Sequence, residues 1–351
     1  MTTVASAEPA TPAIGPPAER WRRRRVVGFF VLVVGCLIAA AASIAVGANM
    51  HSLSATWQGL VEPSSSEIST IVWSSRAPRT ILAAVAGAAF GVAGALTQAL
   101  TRNPLADPGI LGVNAGATFT VSLGVGIFGV TAVSDYIWFA LIGAAGATMF
   151  VYFIGAVGQG TANPVTLVLA GVALGAVLGG FSTFLSLLNP DTFRSVRAWG
   201  VGSVARADMP DIVHILPFIV VGLVLALSLT GSLNSLALGD DLAASLGVKV
   251  GTVRALGVLA VTLLAGAATA LTGGLAFVGL MVPHIVRWFT GPDQRWILAY
   301  SILAAPVLVL LADVIGRVIA PPQEIQVGIL TAVIGAPVLI ALVRRRKASG
   351  L

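Results

Sequence analysis

Eight stretches of this chain carry no charged side chain, and their lengths limit what it can become: 26–61, 80–101, 108–134, 136–190, 212–239, 255–286, 296–312 and 325–343. A helix of about 20 apolar residues crosses a bilayer, and every backbone polar group inside lipid must be bonded within the protein. The stretches therefore read as membrane helices. The run 136–190 is 55 residues long and holds two, separated near Gly158–Pro164. The run 255–286 is interrupted at Gly273–Gly274 and holds one full span and one short one. The expectation is an all-α polytopic membrane protein with ten spans, at 26–47, 79–101, 108–128, 136–158, 164–187, 211–231, 253–272, 275–289, 296–316 and 325–343. Composition agrees: 57% of the 351 residues are hydrophobic and 10% are charged, against about 25% charged in soluble domains. An ordinary soluble enzyme, a disordered chain and a fibre are excluded.

Lysines and arginines set the orientation, because they concentrate in cytoplasmic loops. With the N-terminus in the cytoplasm, ten spans put both termini there. Fourteen of the 20 basic residues then face the cytoplasm, including the runs 22–25 and 344–347. The six outside are Arg76, Arg79, Arg194, Arg197, Arg206 and Arg317. The expected location is the cytoplasmic membrane. The expected divisions are a disordered cytoplasmic tail at 1–25, a membrane domain at 26–345 with a cytoplasmic segment near 236–252, and a second tail at 346–351. Positive-inside anchoring accounts for the basic excess, so no nucleic-acid partner is expected. Gly87/Gly91, Gly112/Gly116 and Gly171/Gly175/Gly179 are spaced four apart, which lets helix backbones approach closely in lipid.

The chemistry of a stand-alone enzyme is missing. There is no GxxxxGK[ST] phosphate loop and no G-x-S-x-G elbow. His51, His214 and His284 share no ligand spacing, and Cys36 is the single cysteine. No catalytic residue, metal site or cofactor is expected. Asp135 is the one charge between Asp107 and Asp191, so nothing resembles a proton relay of several carboxylates. An ion-driven secondary carrier is correspondingly disfavoured.

Four segments are more polar than their setting requires. Trp73-Ser-Ser-Arg-Ala-Pro-Arg-Thr80 stands at the outer mouth of the second span. Arg102-Asn-Pro-Leu-Ala-Asp-Pro-Gly-Ile-Leu-Gly-Val113 is broken by two prolines and two glycines, which indicates an irregular re-entry. In Leu236 to Val248, Asp240 and Asp241 favour a helix N-terminus and Gly247 a C-cap, which predicts a short helix outside the membrane. The fourth comprises Gly279-Leu-Met-Val-Pro-His-Ile-Val-Arg287 and, later, Leu311-Ala-Asp-Val-Ile-Gly-Arg317.

In this order, SRAPRT, RNPLADPGILGV, LALGDDLAASLGV, FVGLMVPHIVR, LLADVIGR and VGILTAVIGAPV resemble the FecCD-type permeases, the membrane subunits of ABC importers for ferric siderophores, haem and cobalamin. The resemblance spans about residues 26 to 345. It implies ten spans per subunit and a dimer with an identical or homologous permease. The further partners would be two ATPase subunits and an extracytoplasmic binding protein. The cargo would be an iron chelate, most often a siderophore; haem and cobalamin are the alternatives. It also implies roles for residues. Arg76, Arg79 and Arg317 would meet acidic residues of the binding protein. Gly239, Asp240, Asp241, Ala244, Leu246 and Gly247 would form the coupling segment seated on the ATPase. The fifth and tenth spans would line the pathway, with Thr166, Leu169, Val172, Ala173 and Ala176 as candidates. A short outer helix would run from Pro190 to Trp199, where Asn189 can cap it, Pro190 suits its first turn and Gly200 ends it.

Overall fold

The computed structural model describes residues 18–47, 52–62, 66–156, 163–206 and 208–348. Most of the N-terminal tail, the last residues of the C-terminal tail and most of the break near Gly158–Pro164 lie outside the described residues.

The elements are helical throughout. Helix α1 (Ala18–Ala45) is followed by two short helices, α2 (Leu53–Val61) and α3 (Glu67–Ile71). A π-helical turn, Val72–Arg76, leads into α4 (Ala77–Thr101). A 3₁₀ turn, Pro108–Leu111, precedes α5 (Val113–Gly126), α6 (Val133–Ala156), α7 (Pro164–Leu188) and α8 (Pro190–Gly200). Then come α9 (Met209–Ser228), α10 (Thr230–Leu236), α11 (Asp240–Ser245) and α12 (Val250–Thr272). The last are α13 (Val278–Thr290), α14 (Gln294–Ile319) and α15 (Val327–Ala348). Seven helical stretches are long and apolar enough to cross a membrane: those of α1, α3–α4 together, α6, α7, α9, α12 and α14. Three expected spans are shorter: α5 has 14 residues, α13 has 13, and the apolar part of α15 is Val327–Ala341.

The physical reasons for the short ones are local. Asp107 accepts the Gly109 N–H at 2.8 Å and starts the 3₁₀ turn, which ends where Gly112 takes φ +83°. So α5 begins at Val113, later than the expected 108. Before α13 the chain is irregular, with Gly273 at φ +73° and Phe277 at φ +66°, which delays that helix to Val278. Helix α1 starts at Ala18, inside the expected tail, because its arginines are good helix formers and continue the apolar run. The expected short helices are present. Asn189 accepts the Asp191 N–H at 2.8 Å to cap α8. Gly247, at φ +82°, donates its N–H to Ala244 O just after α11.

Helix α4 forms the centre, packed on α14, α12 and α13. Its glycines make this possible: a Cβ on Gly94 would stand 1.8 Å from Gly279 O, and one on Gly87 2.8 Å from the Pro306 backbone. A second group gathers α5 against α6 and α7, with a Cβ on Gly116 falling 2.2 Å from Gly143 O. The glycines of α7 divide: Gly171 backs onto Ile110 O, whereas Gly179 meets nothing. Helix α1 lies at the edge, against α14.

Candidate functional site

Two charged clusters occupy opposite ends of the bundle. The first gathers the starts of the α4 segment and the ends of α1 and α14. Arg79 donates from Nε to both oxygens of Asp313 at 3.0 Å, and from Nη2 to Oδ1 at 2.6 Å. Its Nη1 reaches Glu324 Oε2 at 2.6 Å. Arg317, one turn beyond Asp313 on α14, also pairs with that carboxylate through Nε and Nη2. The remaining donors of Arg317 go to Ser43 O at 2.7 Å, Val46 O at 2.9 Å and Ser43 Oγ at 3.0 Å. Arg76 Nη1 donates to Ile44 O and Ala45 O at 2.9 and 3.0 Å. The last carbonyls of a helix have no partner within it and carry partial negative charge. Two arginines from other elements satisfy those of α1.

This geometry separates the three arginines that sequence motifs single out together. Arg317 and Arg76 are 2% and 5% exposed and hold the end of α1. Arg79 stands nearest the surface, and a cavity of about 230 Å³ is lined by all three arginines together with Glu324, Ser74 and Ser75. Three guanidiniums against two carboxylates leave the cluster cationic.

The second cluster joins the end of α4 to α11 and α12. Asp240 receives Arg102 Nη2 at 2.6 Å and Arg254 Nη2 at 2.8 and 3.0 Å. Arg254 is 2% exposed, so this pair ties the short helix to a buried cation. Asp241, Ala244, Leu246 and Gly247 face outward, while Gly239, at φ +113°, turns the chain into α11. Of the two adjacent carboxylates, one belongs to the frame and the other to the surface. In the turn before α5, burial pushes the Asp107 carboxyl up, and the Gly109 N–H works against it.

Helix α7 is the third feature. It is apolar enough to cross a membrane, yet only 17% of its apolar stretch is buried in the single chain. Leu169, Val172, Ala173 and Ala176 lie exposed and Thr166 half-buried. Near its C-terminal end a cavity of about 350 Å³ is lined by Thr118, Ser182, Thr183, Ser186 and, from α8, Arg197, whose guanidinium lies 6.0 Å from the Phe193 ring. Sequence motifs do not flag Arg102, Arg254 or Glu324 as partners. The signal available was the lone charge at each span end; its acid lies up to 245 residues away.

Seven membrane-length apolar helical stretches, with ion-pair clusters at the two ends of α4, define a polytopic helical membrane protein. The chain belongs to the FecCD transport family, whose pattern matches residues 35–345. It is 46% identical to the ferric enterobactin transport system permease protein FepD of Escherichia coli over 326 residues, covering 93% of this chain and 96% of that one. It is 34% identical to the hemin transport system permease protein HmuU of Yersinia pestis, covering 90% and 96%. A solved structure described as an inward-facing metal-chelate type ABC transporter matches with a TM-score of 0.80 at 26% identity, over 90% of this chain and 98% of that one. The chain is thus a transport component of an ABC importer, a multi-pass membrane protein.

Proposed function

We propose that this chain is the permease subunit of an ABC importer that moves a ferric siderophore across the cytoplasmic membrane, driven by ATP hydrolysis in a separate subunit. The observation that carries the reading is the end-to-end arrangement: α11 projects at one end of α4 and the Arg79 cluster sits at the other, about 36 Å away along 24 residues of helix. Identity of 46% to a ferric enterobactin permease against 34% to a hemin permease favours a siderophore over haem. Ten spans follow if the shorter α5, α13 and α15 also cross, with both termini in the cytoplasm. Two permeases would pair along the exposed face of α7 and enclose the pathway between them. Two ATPase subunits would seat on α11 and its flanks, Gly239 to Gly247.

An extracytoplasmic binding protein would dock on the cluster of Arg76, Arg79 and Arg317. A partner carboxylate would take the place of Glu324 on Arg79, while Arg76 and Arg317 keep the surface in shape. The test is binding-protein affinity for the reconstituted transporter at low and high salt. Arg79→Glu is expected to abolish binding, and Glu324→Gln to strengthen it by freeing Arg79. If Arg79→Glu binds like the parent at low salt, the docking role fails. For the transport reading, proteoliposomes holding the permease and its ATPase should accumulate a ferric siderophore only with ATP. Accumulation that follows an ion gradient without ATP would overturn it.

A further inference from the structure

Between α1, α13 and α14 lies a crevice of about 500 Å³, lined by Arg24, Gly28, Val31, Trp288, Tyr300 and Ala304 among others. It is amphipathic along its length. Arg24, Gly28 and Val31 recur at helical spacing, so they share one face of α1. Arg24 and Val31 lie about 10 Å apart along the axis. Tyr300 donates its hydroxyl to Arg25 O, which puts the phenol at the level of the arginine run. Ala304 lies one turn further along α14 and lines the same crevice as Val31. One end of the crevice is therefore a cation with aromatic rings, and the other is aliphatic.

Two details keep this end open and charged. A Cβ on Gly28 would stand 2.5 Å from the Tyr300 hydroxyl, so glycine lets the tyrosine lie against α1. Arg25 is engaged over the Trp296 ring at 6.0 Å, whereas Arg24 is exposed and makes no ion pair among the described residues. Val31 itself is 64% exposed, so the aliphatic end opens sideways toward lipid.

We propose that this crevice binds one anionic phospholipid, with its phosphate at Arg24 and an acyl chain along Val31 and Ala304. Charge complementarity selects the occupant. The arginine run 22–25 supplies a positive field at the headgroup level, and basic pockets between membrane helices recognise anionic headgroups. A soluble anion would leave the aliphatic end unfilled, and a zwitterionic lipid would gain less from the arginines.

The experiment is native mass spectrometry of the purified full chain in detergent, with dioleoylphosphatidylglycerol or dioleoylphosphatidylcholine added. One phosphatidylglycerol should be retained in preference to phosphatidylcholine. Arg24→Gln should weaken retention about fivefold. Arg22→Gln removes the same charge on the opposite side of α1 and should leave retention as in the parent. Ala304→Phe should fill the aliphatic end and weaken both lipids, with helix content unchanged by circular dichroism. Equal losses from Arg22→Gln and Arg24→Gln would mean that the run acts only as a diffuse field, and the site would be rejected. Equal retention of the two lipids would also overturn it. So would displacement of the lipid by inorganic phosphate.

Discussion

A carboxylate that is 1% exposed and holds two guanidiniums is favourable only while all three charges stay together, because each alone would be left desolvated. Asp313→Ala should therefore cost about 3–5 kcal/mol. It should also loosen the end of α1, since Arg317 would lose the acid that orients it. Thermal melting in detergent measures this. Glu324, at 33% exposure, makes a pair of the surface kind, and Glu324→Gln should cost at most about 1 kcal/mol. Similar losses from the two variants would contradict the assignment of Asp313 as the buried hub. Part of this was legible in the residues alone. Asp313 and Arg317 are four apart, which puts them on one helix face. That Arg76 and Arg317 turn inward to the carbonyls of α1 was not legible, because it depends on where α1 ends, 32 residues from Arg76 and 274 from Arg317.

Caps carry the local information at the scale of single elements, and the elements with clear caps are those the sequence locates best. Asn189 and Pro190 start α8, and the acidic pair with Gly247 brackets α11. Where a helix begins after irregular backbone, as α5 and α13 do, a charge-free run continues through the break and hides it. The two carboxylates of α11 differ in a way their adjacency conceals. Asp240→Lys would place a third cation against Arg102 and Arg254 and should detach α11 from α4 and α12. Asp241→Lys should leave the permease as stable as the parent while weakening ATPase association. Limited proteolysis and co-purification with the ATPase separate the two effects. Equal behaviour of the variants would show that Asp240 does not fasten the helix. The glycines of α7 give a parallel contrast. Gly171→Ala would drive a methyl into Ile110 O, 1.8 Å from its Cβ, and should lower the melting temperature markedly. Gly179→Ala meets open space in the single chain, so its effect should be on pairing of two permeases rather than on folding.

For the whole molecule, the end-to-end arrangement makes a labelling pattern. A cysteine at Ser245 should be modified by a membrane-impermeant reagent only after the inner face is opened, and one at Ser64 in intact cells. Ser64 lies outside the described residues; its expected side comes from the charge distribution. Labelling at Ser245 from outside would invert the topology. Helix α1 has a further consequence. Arg76 and Arg317 hold its last carbonyls, and Tyr300 holds Arg25 O near its start. Between those anchors Phe30, Val34, Leu37 and Ile38 are exposed. Arg25 and Ser43 are 18 residues apart, about 27 Å of helix, close to the roughly 30 Å hydrocarbon thickness of a bilayer. A free helix meets a thinner membrane by tilting alone. This one is fastened to α14 at two heights and tilts only with it. The exposed face of α1 is free to drift in sequence as long as it stays apolar, whereas Ala39, Phe29 and Leu32 pack on the core; hydrophobic mismatch is passed to the α14 side of the bundle instead of being absorbed at the edge.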